Sequence, residues 1–303
     1  MLRGFGWIVG LGVAAAGVQA QQVPEPPIVS RQVFFSNPDK ASVQISPDGK
    51  WLSWLAPVEG VLNIWVSPVD DLKSAKALTR DAGRGIRNYQ WAWTSEHVLY
   101  LQDVGGDENW QLHAVSIADG KDRNLTPFEE IVGDDGEPIK LPNGKPLRPS
   151  VRIEATTPRL PREALIGLNN RDPEHHDLYR VDLLTGDMEL VQLNHQFIQY
   201  VADRDLKVRL AVQLASDGGA TVYRTGEAGG WSELMTIPGE DFNTTNLLGF
   251  GEDGKWLYLT DSRGRDTAGL SALEVDAEKE NLHLLAWDKR ADTTGAMFHP
   301  TKF

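Results

Sequence analysis

The sequence predicts an all-β protein, because short strand-like runs separated by turn residues recur along it and no helical periodicity of useful length follows residue 20. Asp48-Gly49 is a tight-turn dipeptide between alternating apolar residues, which predicts a hairpin whose glycine takes a positive φ. A similar turn followed by a similar strand recurs at residues 251–260 and, with less similarity, at residues 93–101. Groups of four short strands that recur about every 40–50 residues are typical of β-propeller blades, whereas a sandwich or a barrel does not predict this grouping.

Five groups of four strands are predicted. The first two groups contain strands at 42–45, 51–56, 62–67 and 75–78, and at 89–93, 97–102, 110–116 and 121–125. The third and fourth contain strands at 151–155, 164–168, 177–182 and 188–193, and at 197–202, 208–213, 221–224 and 233–237. The fifth contains strands at 246–250, 256–260, 269–274 and 281–285. Residues 288–303 resemble the opening strand of a sixth blade, so we predict a partial propeller over residues 41–303.

The first 40 residues are interpreted as two separate segments. Arg3, the apolar run 5–18 and the small residues before Gln21 occur in the order of a signal peptide, which predicts residues 1–20 as an export signal cleaved after Ala20. The run is short and rich in Gly and Ala, so a membrane anchor is the less favoured interpretation. Residues 21–40 are predicted to be an extended, proline-rich leader. We therefore expect a periplasmic or secreted protein with no stable membrane span after signal cleavage.

Charge and cysteine content exclude several functions. The formal net charge is −13 and no basic stripe is present, so nucleic acid is an improbable partner. There is no cysteine, which excludes disulfides, thiol catalysis and thiolate metal sites. Most of the ten tryptophans lie in strand-like runs, where we expect them to fill the space between sheets.

No stretch of the sequence supplies the residues of an enzyme active site. A hydrolase nucleophile elbow needs Gly-x-Ser-x-Gly, and the nearest stretch, residues 269–273, lacks the second glycine and falls in a predicted strand. His175-His176 is the one histidine cluster, with Asp172, Glu174 and Asp177 nearby. Adjacent side chains of an extended segment point apart, so a metal site there is disfavoured.

The two acidic loops of the sequence do not predict a metal site. Residues 103–109 and 133–137 do not have the calcium-loop spacing and are expected to be solvated hairpin loops. Glu129-Glu130 invites comparison with glutamate pairs that hold substrate amino termini in some dipeptidyl peptidases, but the surrounding motif is missing. We therefore predict no catalytic, cofactor-binding or metal-binding residue and no cofactor.

Four stretches in order carry a family resemblance. They are residues 34–41 (FFSNPDKA) leading through the Asp48-Gly49 hairpin to 62–66 (LNIWV), 105–112 (GGDENWQL), 170–181 (NRDPEHHDLYRV), and 290–292 (RAD) through 298–300 (FHP). This set resembles the N-terminal propeller of bacterial prolyl oligopeptidase-family serine peptidases, which include dipeptidyl aminopeptidases and acylaminoacyl peptidases. The resemblance implies a seven-bladed propeller that admits small or unstructured peptides to an α/β-hydrolase domain with a Ser-Asp-His triad.

The resemblance and the missing elbow together lead to two alternative functions. The favoured one is the non-catalytic, substrate-gating propeller of an exported serine peptidase, with peptide substrates passing through its channel. In that interpretation the sequence is a truncated product without the hydrolase domain, inactive alone. Its open ring would expose apolar faces at residues 51–56 and 256–259 and make the chain self-associate. The alternative is a self-standing exported propeller that binds a protein or peptide.

Overall fold

The computed structural model describes residues 28–128, 132–133, 135–141, 143–226 and 229–299. The chain divides into two compact units, Met1–Ser36 and Asn37–Phe303. In the described part of the first unit, helix α1 (Arg31–Phe35) forms one turn within the leader that was predicted to be extended. A backbone hydrogen bond of 3.0 Å from Ser36 N to Gln32 O closes this turn. The predicted signal peptide, residues 1–20, lies outside the described residues.

The second unit consists of five four-stranded sheets, which are the five predicted blades. Blade one contains β1 (Ala41–Ile45), β2 (Trp51–Val58), β3 (Val61–Pro68) and β4 (Lys76–Ala77), with a 3₁₀ turn at Leu72–Ser74. Blade two contains β5 (Tyr89–Trp91), β6 (His97–Gln102), β7 (Gln111–Ser116) and β8 (Asp122–Asn124). Blade three contains β9 (Val151–Thr156), β10 (Glu163–Leu168), β11 (Asp177–Asp182) and β12 (Met188–Gln192). Blade four contains β13 (Gln199–Ala202), β14 (Val208–Leu214), β15 (Ala220–Thr225) and β16 (Trp231–Ile237). Blade five contains β17 (Asn246–Phe250), β18 (Trp256–Asp261), β19 (Gly269–Glu274) and β20 (Leu282–Ala286).

Each blade is an antiparallel meander in which strands pair in the order of the sequence. This is the up-and-down topology of a propeller blade, so the predicted fold class is confirmed. Every strand begins and ends within about two residues of its predicted bounds. One of the largest differences occurs where a side chain binds the backbone just before a strand. At β13, for example, Asn194 Oδ1 accepts a 2.9 Å bond from Phe197 N and Asn194 Nδ2 donates a 2.8 Å bond to Phe197 O, so the strand starts only at Gln199.

The hairpin between the first and second strands has a similar turn in four blades. In blade one Gly49 has the predicted positive φ, 73°, and Gly49 N donates to Ser46 O at 2.9 Å. The equivalent residues are Ser95 with φ 60°, Leu206 with φ 57° and Gly254 with φ 66°. Only glycine adopts this conformation without cost. Leu206 is fully buried, so burial of its side chain offsets that cost.

Apolar cores fill the spaces between successive blades. Four clusters of buried residues join blade one to two, two to three, three to four and four to five. In the part of the chain that the structure describes, no cluster contains residues of both blade five and blade one. The stability of the unit therefore depends on a row of four interfaces between sheets.

The two faces at the ends of this row differ from what was expected. Trp54, on the face of blade one that was expected to be exposed, is only 8% exposed, and the Lys40 ammonium lies 5.3 Å from its ring centroid. In blade five, Leu257 and Leu259 are fully buried in the core shared with blade four. Tyr258 alternates with them and faces away, where the ring of Phe298 lies 5.2 Å from its own.

The predicted opening strand of a sixth blade is not formed by the described residues 288–299, which contain one isolated bridge, Asp288 to Ala291. In every blade the first strand pairs with the strand that follows it, and this segment has no such partner among the described residues. Instead Asp288 O accepts from Thr267 Oγ1 at 2.6 Å and Asp292 Oδ1 accepts from Ala268 N at 2.8 Å. The prediction of a sixth-blade strand was therefore wrong for these residues.

Candidate functional site

In a propeller the blades surround a central channel, and the first strand of each blade is the innermost one. These inner strands are β1, β5, β9, β13 and β17, each at one edge of its sheet. Strand β13 lies against both β9 and β17. Two cavities open along these strands, and both are concave spaces of a size that accommodates small ligands.

The first, called the three-blade cavity, has a volume of about 340 Å³ and lies along β9, β13 and β17. Trp93, Phe298 and His299 also line it, together with residues just after β9 and β13. Trp93 is held in place because its Nε1 donates to Thr156 Oγ1 at 3.2 Å.

Glu154 and Tyr200 line the three-blade cavity with polar atoms that lack hydrogen bonds. Glu154 Oε1 and Tyr200 OH are buried and make no hydrogen bond with the described residues. Arg152 Nη2 lies 3.2 Å from Glu154 Oε1, which is an ion-pair distance without hydrogen-bond geometry. Burial raises the pKa of the Glu154 carboxyl, and Arg152 opposes this effect. Burial raises the pKa of Tyr200 as well, and the charges of Asp177 and Glu154 act in the same direction.

The second, called the two-blade cavity, has a volume of about 810 Å³ and lies between blades two and three. Strands β5 and β9 supply Gln90 and Arg152 to its lining, and the connection before β5 supplies Arg87. His176 also lines it, and burial followed by the Arg152 charge lowers the pKa of this imidazole to about 4. His176 is therefore neutral at neutral pH.

The predicted histidine cluster does not converge. His175 Nδ1 lies 2.9 Å from Asp172 Oδ2, whereas the His176 ring lies in the two-blade cavity. Asp177 is held by Arg171 through two bonds of 2.9 and 2.8 Å. Among the residues that the structure describes, no three His, Asp or Glu side chains are placed to share a metal ion.

The first acidic loop, residues 103–109, differs from the solvated hairpin that was expected. Asp103 is buried and accepts from Arg84 Nη1 at 2.7 Å and from Glu108 N at 3.1 Å. Asp107 is bound by Arg148 at 3.2 Å. The carboxylates of this loop therefore fix its own backbone and neighbouring arginines.

The remaining candidates have structural roles or lie outside the described residues. In the second acidic loop Glu137 N donates to Asp135 Oδ1 at 3.1 Å, which closes a turn, and Asp134 lies outside the described residues. Glu129 and Glu130 also lie outside them. Ser271 is fully buried within β19, so it is not at an exposed strand-to-helix turn.

Comparison with known proteins supports the resemblance drawn from the motifs. No family model matches the sequence. The chain is 41% identical over 287 residues to dipeptidyl aminopeptidase BIII of Pseudoxanthomonas mexicana, covering 94% of this chain and 39% of that protein. The chain is thus similar in sequence to part of a dipeptidyl aminopeptidase. It is also 27% identical over 284 residues to dipeptidyl peptidase family member 6 of Caenorhabditis elegans, covering 90% of this chain and 36% of the relative.

The chain thus spans well under half the length of these two relatives. Among solved structures, a prolyl endopeptidase is similar with a TM-score of 0.51 at 15% identity, covering 82% of this chain and 34% of that one. This similarity concerns the fold. In the described part of the chain, neither α1 nor the 3₁₀ turn is long enough to cross a bilayer.

Sequence reasoning missed the polar residues that line the two cavities. Arg152 and Glu154 alternate with Val151 and Ile153 in β9, and two charged residues on one side of an innermost strand indicate a wall that meets solvent or a ligand. That signal was present in the sequence. No sequence signal indicates that Gln90 lies in the same cavity, because this depends on how two blades pack together.

Proposed function

We propose that this chain is the propeller portion of an exported peptidase and that it controls which peptides reach the catalytic residues of the complete protein. The observation that carries the proposal is the pair of cavities along the inner strands of a chain homologous to dipeptidyl aminopeptidases. Cavities of 340 and 810 Å³ hold a few peptide residues and exclude a folded domain. A path along these strands would therefore select short or extended peptides.

Gating is tested in a chimera in which this chain replaces the aligned segment of the Pseudoxanthomonas mexicana enzyme. The chimera should hydrolyse a dipeptidyl chromogenic substrate, and the isolated chain should not, because its sequence contains no Gly-x-Ser-x-Gly elbow. Trp93→Ala removes a ring from the wall of the three-blade cavity. The rate for long peptides relative to the dipeptidyl substrate should then rise.

Trp287→Ala is the matched control, because this indole lies outside both cavities. It should leave the ratio of long to short substrates unchanged. An unchanged ratio in Trp93→Ala, in a chimera that melts normally, would show that peptides do not pass this wall.

Export is a second part of the proposal. It is supported by the order of charged, apolar and small residues in positions 1–20. N-terminal sequencing of the chain recovered from the periplasm or medium should begin at Gln21. Recovery of intact chain beginning at Met1 would contradict signal cleavage.

A further inference from the structure

The two-blade cavity combines apolar walls with a local excess of hydrogen-bond donors. Its walls include Leu99, Leu101, Trp110, Val151 and Ile153. The position of Trp110 is fixed because Val151 N donates to Trp110 O at 2.8 Å and Trp110 N donates to Ser150 Oγ at 3.2 Å. The apolar walls therefore belong to a rigid junction between blades two and three.

Two of the donors in this cavity have no partner. Gln90 Nε2 is buried and makes no hydrogen bond with the described residues. Arg87 lines the same cavity but is exposed to solvent, and within the part of the chain that the structure describes its guanidinium makes neither a hydrogen bond nor an ion pair. A buried donor without an acceptor costs free energy, so an acceptor supplied from outside the protein would be stabilised by Gln90 Nε2, with the solvated Arg87 guanidinium lining the same cavity.

The residues that line the cavity carry more positive than negative charge. Arg87 and Arg152 both line it, and Glu108 is the one carboxylate among its lining residues. Arg152 is in addition paired with Glu154. His176 adds no positive charge at neutral pH because its pKa lies at about 4. The lining residues thus carry two positive charges and one negative charge in a chain of net charge −13, and the Glu154 carboxylate beside Arg152 balances the second positive charge.

The unpartnered atoms of the three-blade cavity differ from those of the two-blade cavity in hydrogen-bonding character. Those of the three-blade cavity, Glu154 Oε1 and Tyr200 OH, include a carboxylate oxygen that can only accept when ionised. The two cavities therefore differ in the chemical group that each could take, and the anion belongs in the two-blade cavity.

We infer that the two-blade cavity binds a carboxylate of a peptide, with the carboxylate between Arg87, Arg152 and Gln90 and an apolar side chain against Trp110. Guanidinium groups bind carboxylates with paired, charge-assisted hydrogen bonds. This inference rests on the proposed function in that the ligand is a peptide. The carboxylate could be the C-terminus or an acidic side chain, and the test distinguishes them.

The test is calorimetric titration of the full chain with three probes at low salt. They are N-acetyl-Ala-Ala-Phe as the free acid, the same peptide as its C-terminal amide, and N-acetyl-Ala-Asp-Phe amide. The free acid or the aspartyl peptide should bind about 10- to 100-fold more tightly than the uncharged amide. Whichever of the two binds more tightly identifies the source of the carboxylate. Added salt should weaken this preference.

Three variants assign the effect to the cavity. Arg87→Gln and Arg152→Gln should each weaken binding of the preferred acidic probe about tenfold and leave the uncharged amide unaffected. Gln90→Leu should weaken it too, while the melting temperature stays the same or rises because an unpartnered buried donor is removed. Arg80→Gln is the matched control, since this exposed arginine lies on the same connection but outside the cavity and should change nothing.

The possible results separate the two proposals. Equal affinity for all three probes, or equal weakening by Arg80→Gln, would overturn carboxylate recognition while leaving peptide contact by the propeller intact. Absence of binding by any probe to a chain with a normal melting transition would overturn the inference and would count against peptide contact in this cavity. Size selection in the chimera would still be measured independently.

Discussion

The interface between blades one and two and the interface between blades four and five achieve the same packing by different means. The core between blades four and five consists of side chains without a polar atom, except for the sulfur of Met235. The core between blades one and two contains three buried aromatic residues with polar groups, namely Tyr89, Trp91 and Tyr100. We call the interface between blades four and five the apolar interface. We call the interface between blades one and two, in which polar groups are buried among apolar side chains, the mixed interface.

In the mixed interface a network of side-chain hydrogen bonds lies within the core between the two blades. Ser53 Oγ donates to Tyr89 OH at 3.0 Å and accepts from Trp91 Nε1 at 2.8 Å, and Tyr89 OH donates to Ser42 O at 2.6 Å. Ser42 has a φ of 51° in the irregular part of β1. The buried network therefore fixes the register of an inner strand, which non-directional apolar contacts cannot do.

In the apolar interface the polar contacts lie at the periphery. Arg224 Nη1 donates to Val275 O and Ala277 O, both at 2.7 Å, and Arg209 Nη1 donates to Gly254 O at 2.9 Å. The comparison teaches that orientation between blades is set by directional bonds in both cases, at the centre in one interface and at the rim in the other.

The largest expected effect is the creation of a cavity in the apolar interface. Leu259 is fully buried between blades four and five, so Leu259→Ala should lower the free energy of unfolding by about 2–5 kcal/mol. Leu285→Ala is the control, because this leucine of the same blade is 52% exposed and should change stability by less than about 0.5 kcal/mol. Urea unfolding measures both. A loss below about 1 kcal/mol for Leu259→Ala would show that the interface is looser than its burial indicates.

The central network of the mixed interface should give the next largest effect. Ser53→Ala leaves Trp91 Nε1 buried without its acceptor, so we expect a loss of about 1–3 kcal/mol. Ser232→Ala, in the exposed part of strand β16, is the matched control and should have little effect. If Ser53→Ala unfolds at the same urea concentration as the parent, the network does not contribute to the stability of this interface.

The blades could be predicted from the sequence because their turns are encoded locally. Asp48-Gly49 determines one hairpin by its own backbone preferences, and alternation of apolar residues determines which side of each strand is buried. The bounds of β6, β11, β17 and β19 therefore agree with the prediction at both ends. The missing strand in residues 288–299 shows the limit of such reasoning, since a strand pattern without a pairing partner does not form a strand.

The cavities could not be predicted in this way. Gln90 and Arg152 line one cavity although they lie far apart in the sequence. Their proximity depends on the angle between two packed sheets, which no residue spacing encodes. Charged residues in an inner strand, such as Arg152, were the available signal that a cavity lies there.

The half-buried His176 extends the comparison to the two-blade cavity, where the polar group between two blades is titratable. Its folded-state pKa is about 4, below the ordinary value of 6.5, so the unfolded chain binds the proton more readily between these values. Stability is therefore lost as the pH falls from about 6.5 to about 4, by about 1–2 kcal/mol because the ring is only partly buried. His176→Gln should remove this part of the acid dependence of urea unfolding. His195→Gln, at an exposed histidine, should retain it, and parallel pH profiles for His176→Gln and the parent would contradict the assignment.

The smallest expected change in the free energy of unfolding comes from a substitution in a hairpin that lies away from both interfaces. Glu59 and Gly60 form the two-residue hairpin between β2 and β3, with φ values of 51° and 88° and a closing pair Val58–Val61. Both central residues are left-handed, which is the type I′ turn that favours Asn-Gly, and glutamate is strained at the first position. Glu59→Asn should therefore raise the free energy of unfolding by about 0.5–1 kcal/mol without affecting either interface.

Glu96→Asn is the control, because Glu96 lies in an equally exposed hairpin outside the left-handed region and should give no gain in the free energy of unfolding. Equal effects of the two changes would indicate that lost negative charge, and not turn geometry, accounts for the stabilisation, since both remove one carboxylate from a chain of net charge −13.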